Sequence, residues 1–314
     1  MTEDQRPGAA HWIDHFVVPT NDVARWKEFT RCVLGGDELG GVEGTGRLSF
    51  MLIGRHHNAG SFREEKLPEQ PPLGKALPRY GFYARGEDLD MHRRRFEQYG
   101  VEASEPIHTS AGGEEGTTVY FRDPDGNEYE LWAPRWLPPG AMDRGNPKGL
   151  GRISHAVLES RDLDRSLDFH STYLAVDPIH LADIPNDMAV LRLAGGGRLL
   201  FQKIEQDAVT RCGERMWVHA AFTVRDEEWD LVHERLWAGL PEAPVEVLQA
   251  REPSSTWQLH PAWTRQRASM LQRGVFAARG YGYTDWDNHP FHYVRGAFAP
   301  GDASFYEVLP SLAE

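Results

Sequence analysis

The chain has 314 residues, 40% of them hydrophobic and 26% charged, which supports a sizeable core and, at about 150 residues per domain, two domains. A net charge of −13 repels phosphate backbones and anionic lipid, so nucleic-acid and membrane-surface roles are excluded and a small-molecule ligand is the default. There is no apolar run of the roughly 20 residues that span a bilayer, no signal-peptide pattern at "MTEDQRPGAAHW", and no CxxC partner for Cys32 or Cys212; a cytoplasmic protein with reduced thiols is expected.

Taken in order, "HWIDHFVVPTNDVARWKEFTRCVLG" from His11 predicts a strand, an Asp-containing turn and an amphipathic helix, and "RLSFMLIG" a further strand. A second strand and helix follow in "YGFYARGEDLDMHRRRFEQYG", ending at Gly100, and then two strands, "TTVYFRD" and "EYELWAP". The Pro- and Gly-rich "RWLPPGAMDRGNPKGLG" marks a linker at 136–150 between an N-terminal domain, 1–135, and a C-terminal domain, 151–314. The second domain begins the pattern again with "GRISHAVLESRDLDRSLDFHSTYLA", continues through "DMAVLRL", "RLLFQK" and "VHAAFTVRDEEWDLVHERLWAG" to Gly239, and closes on "ASFYEVLP".

The repeat has a fixed offset: His15 and His155 are 140 residues apart. Glu130 and Glu307, on the matching terminal strands, are 177 apart, so the second half carries 37 additional residues between Gly239 and Glu307. This insertion, at about 240–290, is rich in Trp, Tyr and His, as lids and pocket walls are.

A polar side chain on a buried strand needs a hydrogen bond or a metal to offset its desolvation. Three such residues recur in the second half: His155 in "RISHAVL", His219 in "WVHAAFTV" and Glu307 in "SFYEVLP". Two imidazoles and one carboxylate make the facial triad suited to Fe(II), leaving coordination positions for substrate and oxygen. Alternatively each is an individually satisfied polar residue at a strand end. The first half keeps His15 and Glu130, with Arg79 or Tyr80 at the place of His219; a rival placement recruits His15 across the halves or joins it with His56 or His57.

The four strand–helix–strand units, the "DPDGNEYEL" strand pair from Asp123 to Leu131 and the His, His, Glu order resemble the vicinal oxygen chelate superfamily, and within it the two-domain type I extradiol ring-cleaving dioxygenases. The resemblance implies an α+β fold in which each domain is a pair of βαβββ modules forming a half-open barrel. It implies an N-terminal domain without the catalytic metal, Fe(II) held by His155, His219 and Glu307, and a homo-oligomer. The activity implied is O2-dependent cleavage of a catechol or related ortho-oxygenated aromatic ring. A histidine about 19 residues before the carboxylate contacts substrate in that family. His289 is the nearest match, and His292 and Tyr293 can share its role in moving protons. Two positions depart from the pattern: Arg198 stands near the expected acid/base histidine and Ala297 where a tyrosine is expected. A lyase, isomerase or different oxygenase on a vicinal-oxygen substrate, or a metal-free binding protein, are the alternatives.

Overall fold

The computed structural model describes residues 6–41, 48–53, 57–67, 69–111, 114–142, 146–179, 184–205, 219–223, 228, 231, 235, 280–284 and 290–294. The first module is β1 (Ile13–Thr20), α1 (Val23–Phe29), β2 (Gly36–Gly41), β3 (Leu48–Ile53) and β4 (His57–Arg63). The second is β5 (Arg79–Tyr83), α2 (Leu89–Gln98), β6 (Ile107–Ala111), β7 (Glu114–Arg122) and β8 (Glu128–Pro134). The third is β9 (Ile153–Ser160), α3 (Leu163–Tyr173), β10 (Asp177–Pro178), β11 (Met188–Arg192) and β12 (Arg198–Lys203). Of the fourth, β13 (His219–Thr223), β14 (Gly280–Thr284) and β15 (Pro290–Val294) are described.

The repeat extends to the helix caps. The Asp22 carboxylate accepts from the backbone N–H groups of Ala24 and Arg25 at 3.0 and 3.1 Å, and Asp162, 140 residues on, accepts from that of Arg165 at 3.1 Å. Each cap satisfies amides that have no partner in the first turn, and so fixes where strand gives way to helix. In α2 the buried residues Leu89, His92 and Phe96 follow the i, i+3, i+7 spacing of a single face.

The mixed α+β half-barrel architecture expected from the sequence is the one observed. In every module the last described strand lies parallel to the first: β4 on β1, β8 on β5, β12 on β9 and β15 on β13. Modules then join through their first strands, and here the arrangement differs from two self-contained halves. β1 pairs antiparallel with β13 and β5 antiparallel with β9, so the first module shares a seven-stranded sheet with the fourth, and the second an eight-stranded sheet with the third.

A continuous apolar core ties the two sheets together. Phe16 of β1 stacks on Tyr80 of β5 at 4.2 Å between ring centroids, and Tyr129 of β8 packs against both Phe29 of α1 and Phe121 of β7. Rings of this size, fully buried, contribute about 1.5–3 kcal/mol each. The turn "DPDGN" adds a polar tie. Asp123 accepts from the amides of Asp125 and Asn127, Gly126 takes the left-handed φ of 79°, and the Asn127 side chain donates to Pro19 O on β1 at 2.8 Å.

Candidate metal centre

Each sheet carries buried polar residues on its described central strands, and the set on each is here called its floor. On the eight-stranded floor the pairing sets Arg79 opposite Glu128, Gly81 opposite Glu130, and Gly81 opposite His155. His155 Nε2–H donates to Glu130 Oε2 at 3.1 Å, and Arg79 donates to the same oxygen through Nε and to Glu128 through Nη1, both at 3.2 Å. Thr118 Oγ1 donates to the other Glu130 oxygen, Arg122 pairs with Glu128 at 3.1 Å, and the Arg79 guanidinium lies 4.9 Å from the Tyr120 ring centre. Burial alone would push the Glu130 carboxyl up; the charge and hydrogen bond of His155, then Arg79 and Thr118, outweigh it and hold the group at about 2. Glu130 is therefore ionised, with Arg79 and His155 beside it, and Arg79 and Arg122 beside Glu128. On its other side, His155 Nδ1 lies 2.9 Å from Ser154 Oγ.

Gly81 is required by the same geometry. A Cβ placed there would lie 2.1 Å from Cε1 of the His155 ring, so the ring occupies the space a side chain would need. The expectation that Arg79 or Tyr80 stands at the histidine position is thereby corrected to Gly81. The signal was available: counting back seven residues from Asp22, Asp88, Asp162 and Asp226 gives His15, Gly81, His155 and His219.

The seven-stranded floor is different in kind. His15 lies opposite Ala221 of β13 and Asn58 of β4, and Ala221 lies opposite His292 of β15; His219 lies opposite Val17, two residues along the same strands. Because residues two apart on a strand return to the same face, the backbone positions of His15, His219 and His292 belong to one face of one sheet. His15 is buried, its ring packs edge-on against Phe50 at 5.9 Å, and Nδ1 lies 2.6 Å from Asp14 Oδ2. Buried imidazole nitrogens with a carboxylate behind one of them are the donor chemistry that suits a divalent ion.

The residues expected to share one metal are thus distributed between the floors. His155 belongs to the eight-stranded sheet and His219 to the seven-stranded sheet, because each lies on a module's first strand and those strands pair across the halves. His292 and Tyr293 lie on β15, while His289, Glu307 and most of the 240–290 insertion fall outside the described residues. Arg198 pairs in register with His155 and its Nη2 lies 2.5 Å from Glu114 Oε2, so an ion pair fills the place where an acid/base histidine was expected. His57 stands on β4 with Nδ1 3.1 Å from Ile13 O. Among the described residues no three His, Cys, Asp or Glu converge as a complete metal site, and no helix is long and apolar enough to cross a membrane.

Residues 12–131 match the model of the Glyoxalase/Bleomycin resistance protein/Dioxygenase superfamily. The fold is that of the vicinal oxygen chelate superfamily. Among solved structures, a Bacillus subtilis subsp. subtilis protein provisionally described as a dioxygenase superposes with a TM-score of 0.64 at 15% identity, covering 94% of this chain and 87% of its own. Glyoxalase I from Zea mays superposes with a TM-score of 0.55 at 16% identity, covering 95% of each chain. At these identities the likeness concerns the vicinal oxygen chelate fold. A comparison with curated proteins finds no match.

Proposed function

We propose that the chain is a metal-dependent enzyme of the vicinal oxygen chelate type, with its metal on the seven-stranded floor and with Fe(II)-dependent, O2-using cleavage of a catechol-like ring as its reaction. The observation that carries the placement is the β1–β13 pairing, which sets the strand of His15 beside that of His219. His15 and His219 are the nitrogen ligands in this reading and Glu307 the carboxylate. This reading takes His15 rather than His155 beside His219 because β1, and not β9, is the strand that pairs with β13. Bound there, Fe(II) supplies open positions for two substrate oxygens and for O2. The protein's own part is to exclude water, to orient the substrate and to move protons. His292, in the same register row as His15, with Tyr293 and His289, its neighbours in sequence, are the groups for that work. The substrate is a small aromatic, and a homo-oligomeric state goes with this reading.

The test is anaerobic reconstitution with Fe(II) followed by a catechol panel, reading oxygen uptake and the yellow absorbance of ring-opened product. His15→Ala and His219→Ala should each abolish iron binding while His155→Ala retains it. The reverse order for His15 and His155 sinks the placement, and iron binding without oxygen uptake sinks the dioxygenase reaction.

A further inference from the structure

We propose that residues 71–77 are a displaceable self-ligand: they occupy, on the eight-stranded sheet, a binding site for a small amide with a branched aliphatic end. Pairing aligns Val190, Leu200, Val157, Arg79, Glu128 and Arg122 in one row across β11, β12, β9, β5, β8 and β7. Paired residues share a face, so the row is aliphatic at one end and charged at the other. The segment that joins β4 to β5 lies along it. At the charged end the Gly74 N–H donates to Glu128 Oε2 at 2.8 Å, Arg79 Nη1 donates to Gly74 O at 3.2 Å, and Arg122 Nη2 donates to Pro71 O. At the aliphatic end Leu77 is buried in a cluster with Val157, Val190 and Leu200.

These are the contacts a bound molecule would make. The Arg79–Glu128 ion pair reads the N–H and C=O of a single residue, and a branched side chain fills an apolar place three residues further on. Gly74 has the left-handed φ of 86°, and a Cβ there would lie 3.2 Å from the Tyr120 ring, so the charged end admits a slender amide rather than a substituted one. Pro72 and Lys75 are exposed, and Lys75 N–H donates to Pro72 O at 3.0 Å in a turn on the outer side of the strap. Lifting the strap breaks the three hydrogen bonds to Glu128, Arg79 and Arg122 and exposes Leu77, while the strands beneath stay paired to one another. A ligand with a C=O for Arg79, an N–H for Glu128 and an isobutyl group for the aliphatic end restores what lifting removes. This site is independent of the metal placed on the seven-stranded floor.

Hydrogen exchange in the wild-type chain tests the strap without a variant. The Gly74 amide should exchange through local opening, faster than the paired amides of β5 and β8; exchange of all of them together, at the rate of global unfolding, overturns the proposal. The ligand is tested with isocaproamide, titrated against the full wild-type and Leu77→Ala chains and followed by ligand-observed NMR. Leu77→Ala weakens the closed strap and leaves the sheet intact, so apparent affinity should rise about 10- to 100-fold, in proportion to the open fraction. If Leu77→Ala folds poorly, Gly74→Ala, which is strained by its φ and by Tyr120, should give a rise in the same direction. Equal affinity in wild type and in a folded strap variant, or no binding to either, overturns the site. Isocaproate, which has no N–H and brings an anion to Glu128, should bind more weakly than the amide, and equal binding of the two overturns the ligand class.

Discussion

Replacing Arg79 by methionine removes the cation that joins two buried carboxylates while keeping most of the side chain's volume. The guanidinium is 9% exposed and bonds to Glu130 and Glu128, each at 3.2 Å, as well as to Gly74 O. Deleting one partner of a buried ion pair costs about 3–5 kcal/mol because a charge is stranded. Here Glu130 keeps His155 and Thr118, and Glu128 keeps Arg122 and the Gly74 amide, so the lower end applies. A loss of about 3 kcal/mol corresponds to roughly 4–5 °C in Tm for a chain of 314 residues. Urea unfolding and calorimetry at pH 7 measure it. Repeating the titration near pH 3 should show a smaller difference, since with Arg79 gone the Glu130 carboxyl takes up a proton more readily and sheds the stranded charge. A loss below about 1 kcal/mol at pH 7, the scale of an exposed ion pair, would refute the claim that these charges form a desolvated cluster.

Glu130 itself gives a pH signature. Its folded value, about 2, lies below the ordinary 4.5, so its contribution is complete above pH 4.5 and is lost as pH falls towards 2, amounting to about 3 kcal/mol at most; Glu130→Gln should flatten that limb of a stability–pH curve. His92 acts in a separate window. Burial and then Arg95 hold its ring down at about 4 from 6.5, so stability should decline as pH falls from 6.5 to 4, and His92→Gln should remove that slope in urea unfolding. Gly81→Ala forces a Cβ to 2.1 Å from the His155 ring and should destabilise the protein by about 2 kcal/mol or more, with loss of the His155–Glu130 bond visible in the His155 ring 15N shifts; a neutral substitution would mean that the ring is free to move aside.

The sequence by itself determined a great deal that is local. The 140-residue offset between His15 and His155 also relates the caps Asp22 and Asp162, so strand, cap and helix follow one another in the same order wherever the motif recurs. Alternation and turn chemistry set β7, the "DPDGN" turn and β8, and with them the place of Glu130. Local pattern did not determine which module pairs with which. β1, β5, β9 and β13 are all short first strands with a free edge, and any two of them can form an antiparallel ladder using backbone groups that every residue carries. The choice is made by contacts distant in sequence, such as Phe16 on Tyr80 and Asn127 on Pro19 O. That choice moves His155 away from His219 and brings His15 beside β13. The identity of the histidines was legible in the sequence; their company was decided by the tertiary structure, because a sheet edge is recognised by geometry that its own residues do not encode.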